Sequence, residues 1–371
     1  MLIAVVSTTF GVFLISGLGA YLTRKKIINK QLTNQLSCLT ENLFTPALIF
    51  TSFQKTLTLE TIYLYIPCII ITLLCLILGY VAGILSNKYW IKEKALKSVI
   101  ILACANPHTT NLQLQLCYGL SNYFAKITGQ PQKQLEQRLI TTVIIQTVVV
   151  NSIRWSIGKS ILEQHENNQS DLEMTNLSVP QSHQLTLPLS QQQQTKPENE
   201  SQKKSFWNPP LYATLVSIVF ICIPGLQATL LENQIIYNAI FLPLQTISRA
   251  TSPIILLILG SSLYQIYFEN QERVEKYSTI LYIAFNRLLL MPIIGIFIVI
   301  IVQSQKIIND QCQLFMIFLT FCTPPSINIL MLAKQYLQSA EEIVAVILLN
   351  SYLISIITLP LWMITYMIFF I

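Results

Sequence analysis

The chain reads as an all-α polytopic membrane protein, and three observations predict that class. Of its 371 residues, 53% are hydrophobic and only 11% charged, against roughly 25% charged in a soluble domain; the mean hydropathy is +0.55. Ten apolar runs approach or exceed the ~20 residues that a helix needs to cross a bilayer. They are 1–22, 40–57, 62–86, 97–120, 137–158, 207–227, 236–264, 278–303, 312–334 and 342–370. Finally, one motif is written twice, as Cys104-Ala-Asn-Pro-His-Thr-Thr-Asn111-Leu112 in the fourth run and Phe321-Cys-Thr-Pro-Pro-Ser-Ile-Asn328-Ile329 in the ninth.

Taken in order, the first run starts at Met1 with no basic segment before it and no clear small-residue cleavage site, which predicts a first span and not a cleaved signal. The second run carries Thr45-Pro46-Ala-Leu-Ile-Phe50, echoed in the seventh by Ser252-Pro253-Ile-Ile-Leu-Leu257, 207 residues later. The third holds Gly79 and Gly83, a spacing that predicts close helix packing. Between the fifth and sixth runs, residues 160–206 are rich in Gln and Asn, including Gln191 to Gln194, and almost without aromatics. Such a segment buries too little apolar area to fold and is expected to be a disordered linker. The chain then divides into a first five-helix unit (1–159), the linker, and a second five-helix unit (207–371). An odd number of spans per half puts the halves in opposite orientations, so a repeat between them must be inverted.

Orientation follows from the basic residues, which concentrate on the cytosolic side of membrane proteins. The loops after odd-numbered spans carry sixteen Lys and Arg, those after even-numbered spans five, with Arg249 and Arg287 in or at spans. The linker is therefore expected to be cytosolic, and its glycosylation sequons at Asn168, Asn176 and Asn199 silent. The net charge of +6 is spread over short loops without interleaved aromatics, which excludes a nucleic-acid partner.

The duplicated motif is the candidate site. Sliding the first copy forward by 217 residues places Pro107 on Pro324, Asn111 on Asn328, Asn106 on Thr323 and Thr109 on Ser326. Proline lacks the backbone donor and clashes with the preceding turn, so the adjacent Pro324 and Pro325 call for local unwinding. Polar, unwound backbone at membrane depth is tolerated where it lines a protein cavity. A matched pair of interrupted spans, one per half, points to a carrier's substrate site. A helix that restarts beyond each proline aims free N–H groups into that cavity, favouring an anion, and the Asn111 and Asn328 amides can donate to a carboxylate. The bland alternative is a simple proline kink in each packing helix. His108, the only histidine outside the linker, either touches the substrate or is structural. Candidate substrate-binding residues are thus Asn106, Pro107, His108, Asn111, Thr323, Pro324, Pro325 and Asn328.

Other intramembrane polar residues are few. Arg249 and Arg287 either snorkel or pair with carbonyls, or else help attract an anion; Glu41 is expected at the interface. With no cluster of His and carboxylates, a metal-dependent membrane enzyme is disfavoured, and no cofactor or metal is expected. The absence of a clear central Asp or Glu in any span weighs against a proton pump. The eight cysteines form no CxxC and mostly lie in apolar runs, as small buried hydrophobes do.

These residues resemble a known family. Gly17-Leu-Gly-Ala-Tyr21 with Leu43-Phe-Thr-Pro-Ala-Leu-Ile-Phe-Thr-Ser52, Arg287-Leu-Leu-Leu-Met-Pro-Ile-Ile-Gly295, and Thr323-Pro-Pro-Ser-Ile-Asn328 followed by Glu341-Glu342 are similar to the auxin efflux carrier superfamily, in its PIN-likes (PILS) branch. The resemblance implies ten helices in an inverted 5+5 repeat with broken, crossed helices 4 and 9, an arrangement like that of NhaA and the bile-acid transporters. It implies alternating-access transport of small organic anions such as indole-3-acetate, in the endoplasmic reticulum membrane, with the plasma membrane as the other site; a homodimer is left open. The fourth span departs from the family pattern: Asn106 and Asn111 are five apart, and Gln113 stands where the family has proline. The third span lacks the Asp and Lys pair of PIN carriers. The rival readings are an ion-coupled carboxylate or bile-acid-like carrier and a non-transporting receptor.

Overall fold

The computed structural model describes residues 2–89, 94–109, 111–158, 160–162, 209–265, 268, 277–337 and 340–370. The linker expected at 160–206, with its sequons, lies almost wholly outside them. Among the described residues the backbone is helical apart from turns and one isolated antiparallel bridge. The first half consists of α1 (Leu2–Arg24), α2 (Lys30–Leu39), α3 (Thr45–Thr56), α4 (Ile66–Tyr89), α5 (Lys94–Ala105), α6 (Asn111–Thr128) and α7 (Gln132–Ile153). The second consists of α8 (Pro209–Cys222), α9 (Leu226–Glu232), α10 (Gln234–Ile236), α11 (Leu242–Arg249), α12 (Thr251–Tyr264), α13 (Tyr277–Phe285), α14 (Met291–Ser304), α15 (Gln311–Cys322), α16 (Asn328–Tyr336) and α17 (Glu341–Phe370).

Five stretches are long and apolar enough to cross a bilayer unbroken: Tyr63–Ser86, Gln132–Leu162, Gln234–Tyr264, Ser278–Ser304 and Ile343–Phe370. A sixth is α8 with α9, bent by 98°. The sequence predicts a single span over 207–227 there. Instead Pro224 blocks the helix and Gly225 turns the chain with φ of +80°, in the left-handed region open to glycine. The second span also differs: its helix starts at Lys30, ten residues before the predicted 40. Asn29 caps that start, accepting the Leu32 N–H at 2.8 Å, so the polar Lys30–Leu39 segment is helical although hydropathy leaves it out.

Prolines shape the long helices in a consistent way. Pro46, Pro243 and Pro292 each stand two residues beyond a π-turn, at Thr40–Phe44, Tyr237–Phe241 and Asn286–Leu290. A π-turn widens the helix by one residue, relieving the clash between the proline ring and the carbonyl four residues back. The helices continue through the proline. In the Asn286–Leu290 turn, Asn286, Arg287 and Leu288 are all buried.

α4 packs on α5, α1 on α12 and α3 on α8. The Gly79–Gly83 pair sits at the α4–α5 contact, as its spacing predicts. A Cβ at Gly79 would come within 2.5 Å of the Cys104 carbonyl oxygen, and one at Gly83 within 2.6 Å of Ile101 Cα. Gly79→Val is therefore expected to push the end of α5 outward and lower the melting temperature in detergent by several degrees. An unchanged melting temperature would show that α5 yields freely.

Candidate functional site

α5 stops at Ala105 and α15 at Cys322, and both stops have the same cause. Pro107 in one motif, and Pro324 and Pro325 in the other, can neither donate to nor fit within a continuing helix. The two interruptions cross each other. Pro107 and Pro325 face one another as an antiparallel bridge pair. On one side the His108 N–H donates to the Pro324 carbonyl at 3.0 Å, and on the other the Ser326 N–H donates to the Asn106 carbonyl at 3.0 Å.

The pairing explains the prolines in both strands. In an antiparallel ladder, residues opposite each other are alternately hydrogen-bonded and non-hydrogen-bonded pairs. Pro107 and Pro325 occupy a non-hydrogen-bonded pair, where neither nitrogen is asked to donate. Sequence alignment of the two copies sets Pro107 over Pro324; in space the partner is Pro325.

Beyond the crossing, helices restart at Asn111 and Asn328, the two asparagines singled out from the sequence. The second restart is capped within its own motif. The Asn328 N–H donates to Ser326 Oγ at 3.4 Å, and the Ile329 N–H to the Ser326 carbonyl at 3.1 Å. Asn328 is half-buried; the side chain of Asn111 lies outside what is described. Asn106 is fully buried, its amide donating to the Leu102 carbonyl at 3.0 Å while its Oδ1 has no partner. His108 is buried, with its ring edge-on to Tyr352 at 5.8 Å between centroids and its Nε2 without a partner. Thr323 is fully buried and donates to the Thr320 carbonyl at 3.3 Å. Gln113, which takes the place of the family's proline, ties the copies together, its amide lying 3.1 Å from Thr320 Oγ1. The structure thus gathers Asn106, Pro107 and His108 against Pro324 and Pro325.

Two arginines hold this crossing, and both are buried to 1% exposure or less. Arg287 donates through Nη2 to the Thr323 carbonyl at 2.9 Å and the Thr320 carbonyl at 3.2 Å, and through Nη1 to the Cys104 carbonyl at 3.4 Å. It therefore caps the C-terminal ends of α5 and α15 together, where helix carbonyls gather partial negative charge. Of the roles open to it from sequence, pairing with carbonyls is the one seen, and snorkelling is not. Arg249, by contrast, is exposed at the end of α11.

Arg154 is not among the sequence candidates. It counts there as one of the basic residues following the fifth span. In the structure a π-turn at Arg154–Gly158 extends α7, and Arg154 turns inward. Its Nη2 donates to the Pro107 carbonyl at 3.3 Å and its Nη1 to Asn151 Oδ1 at 2.8 Å. The available signal is its position inside the apolar run 137–158. Among the described residues neither arginine has a carboxylate partner; the ion pair found there is Arg138–Asp310, at 3.5 Å.

Long apolar helices around two crossed, interrupted ones with a cationic polar centre are the build of a polytopic membrane transport protein. The chain belongs to the membrane transport protein family, whose model matches residues 4–363. It is similar to Protein PIN-LIKES 1 of Arabidopsis thaliana, 23% identical over 363 residues covering 95% of this chain and 76% of that one. Protein PIN-LIKES 5 of the same plant is 23% identical over 384 residues, covering 95% and 94%. An uncharacterized transporter of Saccharomyces cerevisiae is 24% identical over 363 residues, covering 86% and 84%. The resemblance to PIN-likes proteins read from the motifs therefore holds over nearly the whole chain, and the protein is a transporter, not an enzyme.

Proposed function

We propose that the protein carries small organic anions of the indole-3-acetate type across the membrane by alternating access. The observation that carries this reading is the crossing at Pro107 and Pro325, where two half-helices end, two begin, and two buried guanidiniums supply positive charge. Helix N-termini favour anions, and a crossing between two mobile helix groups can open to either side in turn. In this reading ten spans form an inverted 5+5 repeat, units 1–159 and 207–371 joined by a cytosolic linker, with spans 4 and 9 crossed. A second contact supports the repeat. The Thr251 hydroxyl donates to the Phe44 carbonyl at 3.0 Å, 207 residues apart, the same offset that relates the Thr45-Pro46 and Ser252-Pro253 motifs. Equivalent positions meet in this way beside a two-fold axis. Asn111, Asn328 and the restarted-helix N–H groups hold the carboxylate, and the membrane is that of the endoplasmic reticulum.

Flux of radiolabelled weak acids into proteoliposomes tests the proposal. Wild-type protein is expected to take up indole-3-acetate or a related monocarboxylate saturably. The Asn111→Ala, Asn328→Ala double variant is expected to lose about tenfold in uptake while eluting as a folded monodisperse species. Unchanged flux in that variant removes the two amides from the site. Binding without flux would identify a receptor, and dependence on a sodium or proton gradient an ion-coupled carrier.

A further inference from the structure

The proposed function leaves open which group meets the negative charge of the anion, and the hydrogen-bond inventory separates the two buried arginines. A guanidinium has five N–H donors in a planar fork. Arg287 makes three bonds, all to carbonyls that end helices in both halves, and is fixed in place. Arg154 makes two among the described residues, one to the Pro107 carbonyl and one to the Asn151 side chain, and the Nε of each arginine is buried without a partner. The hydroxyls of Tyr80 and Tyr352 and the His108 imidazole lie within electrostatic reach of it. Tyr80 Oη, Tyr352 Oη and His108 Nε2 are also buried without partners. A buried cation amid unpaired polar atoms, with no carboxylate against it among the described residues, is costly unless an anion completes it.

A cavity of about 10 Å³, room for one water molecule, lies between α3, α7 and α8, lined by Ile49, Val148, Asn151, Ser152, Pro210 and Thr214. Asn151 is both a wall of this cavity and the side chain that occupies Arg154 Nη1. Asn151 thus joins the guanidinium to the cavity wall.

We infer that Arg154 is the charged ligand of the transported anion, receiving a monocarboxylate in place of the Asn151 amide, with Asn151 as the exchangeable latch between cavity and site. The assignment rests on the anion-carrier reading. Carboxylate and guanidinium meet through two parallel N–H···O bonds, stronger than the neutral amide contact they replace. Tyr80 Oη, Tyr352 Oη and His108 Nε2 supply further polar atoms within electrostatic reach of the guanidinium.

Ligand-induced thermal stabilisation of the purified full chain tests it, with indole-3-acetate and the isosteric neutral indole-3-acetamide as probes. Wild type is expected to respond to the acetate at a concentration at least about tenfold lower than to the acetamide. Arg154→Gln should abolish that preference, Arg154→Lys should keep it with weaker binding, and Asn151→Ala should bind the acetate as tightly as wild type or more so. Arg154→Gln retaining a tenfold preference would overturn the assignment and leave the transport reading intact. Should Arg154→Gln fail to fold, Asn151→Ala decides: loss of acetate binding there, with the guanidinium still present, refutes the latch. If wild type neither prefers the acetate nor transports any weak acid in liposomes, it is the transport reading that fails, and the assignment with it.

Discussion

Arg287→Gln is expected to cost the protein its fold and not only its transport. The side chain ends two helices that are remote in sequence, α5 through Cys104 and α15 through Thr320 and Thr323. A buried acceptor left without its donor costs about 1–3 kcal/mol. The Thr320 carbonyl keeps the Thr323 hydroxyl as a donor at 3.3 Å, but those of Cys104 and Thr323 lose the guanidinium. That loss is incurred twice, about 2–6 kcal/mol together, against a total stability of about 5–15 kcal/mol for a folded protein. In detergent the variant should elute as aggregate or melt about 10 °C or more below wild type. Arg287→Lys should rescue little, because one compact ammonium cannot span both helix ends as the planar fork does. A Gln variant with wild-type melting would show that the crossing supports itself.

The double variant Pro324→Ala, Pro325→Ala is expected to do the opposite, sparing the helices and destroying transport. Proline in a helix interior costs about 3 kcal/mol relative to alanine, and the two together keep α15 and α16 apart. With alanine at both positions, residues between Cys322 and Asn328 gain intrahelical hydrogen bonds, and one helix can run from Gln311 to Tyr336. That straightening withdraws the Pro324 carbonyl from the His108 N–H and the Ser326 N–H from the Asn106 carbonyl. Uptake in proteoliposomes should fall at least about tenfold while helicity by circular dichroism holds or rises slightly. Near-normal uptake would mean that the interruption is not needed for transport.

The interruptions themselves are legible in the sequence because proline, asparagine and histidine in the middle of an apolar run admit few explanations. How the two copies meet is not. Alignment places Pro107 on Pro324, yet the ladder pairs it with Pro325, a one-residue offset set by backbone hydrogen bonding and not by residue identity. The arginines are harder for another reason. Hydropathy weighs a residue by type, whereas π-turns ahead of Met291-Pro292 and at Arg154–Gly158 decide where Arg287 and Arg154 point. Residues 30–39 escape notice because their polarity hides a helix whose local signal is the Asn29 cap. The bend after Cys222 does have a signal, the Pro224-Gly225 pair, which the apolar run around it obscures.

The crossing also sets an order on biosynthesis. The His108 N–H and the Cys104 carbonyl are made early, but their partners, Pro324 and Arg287, leave the ribosome about 200 residues later. At about 5–20 residues per second, the first half waits on the order of tens of seconds in the membrane with its broken span incomplete. During that interval the backbone around Pro107 is without these partners, and a chain truncated before residue 287 never gains either of them.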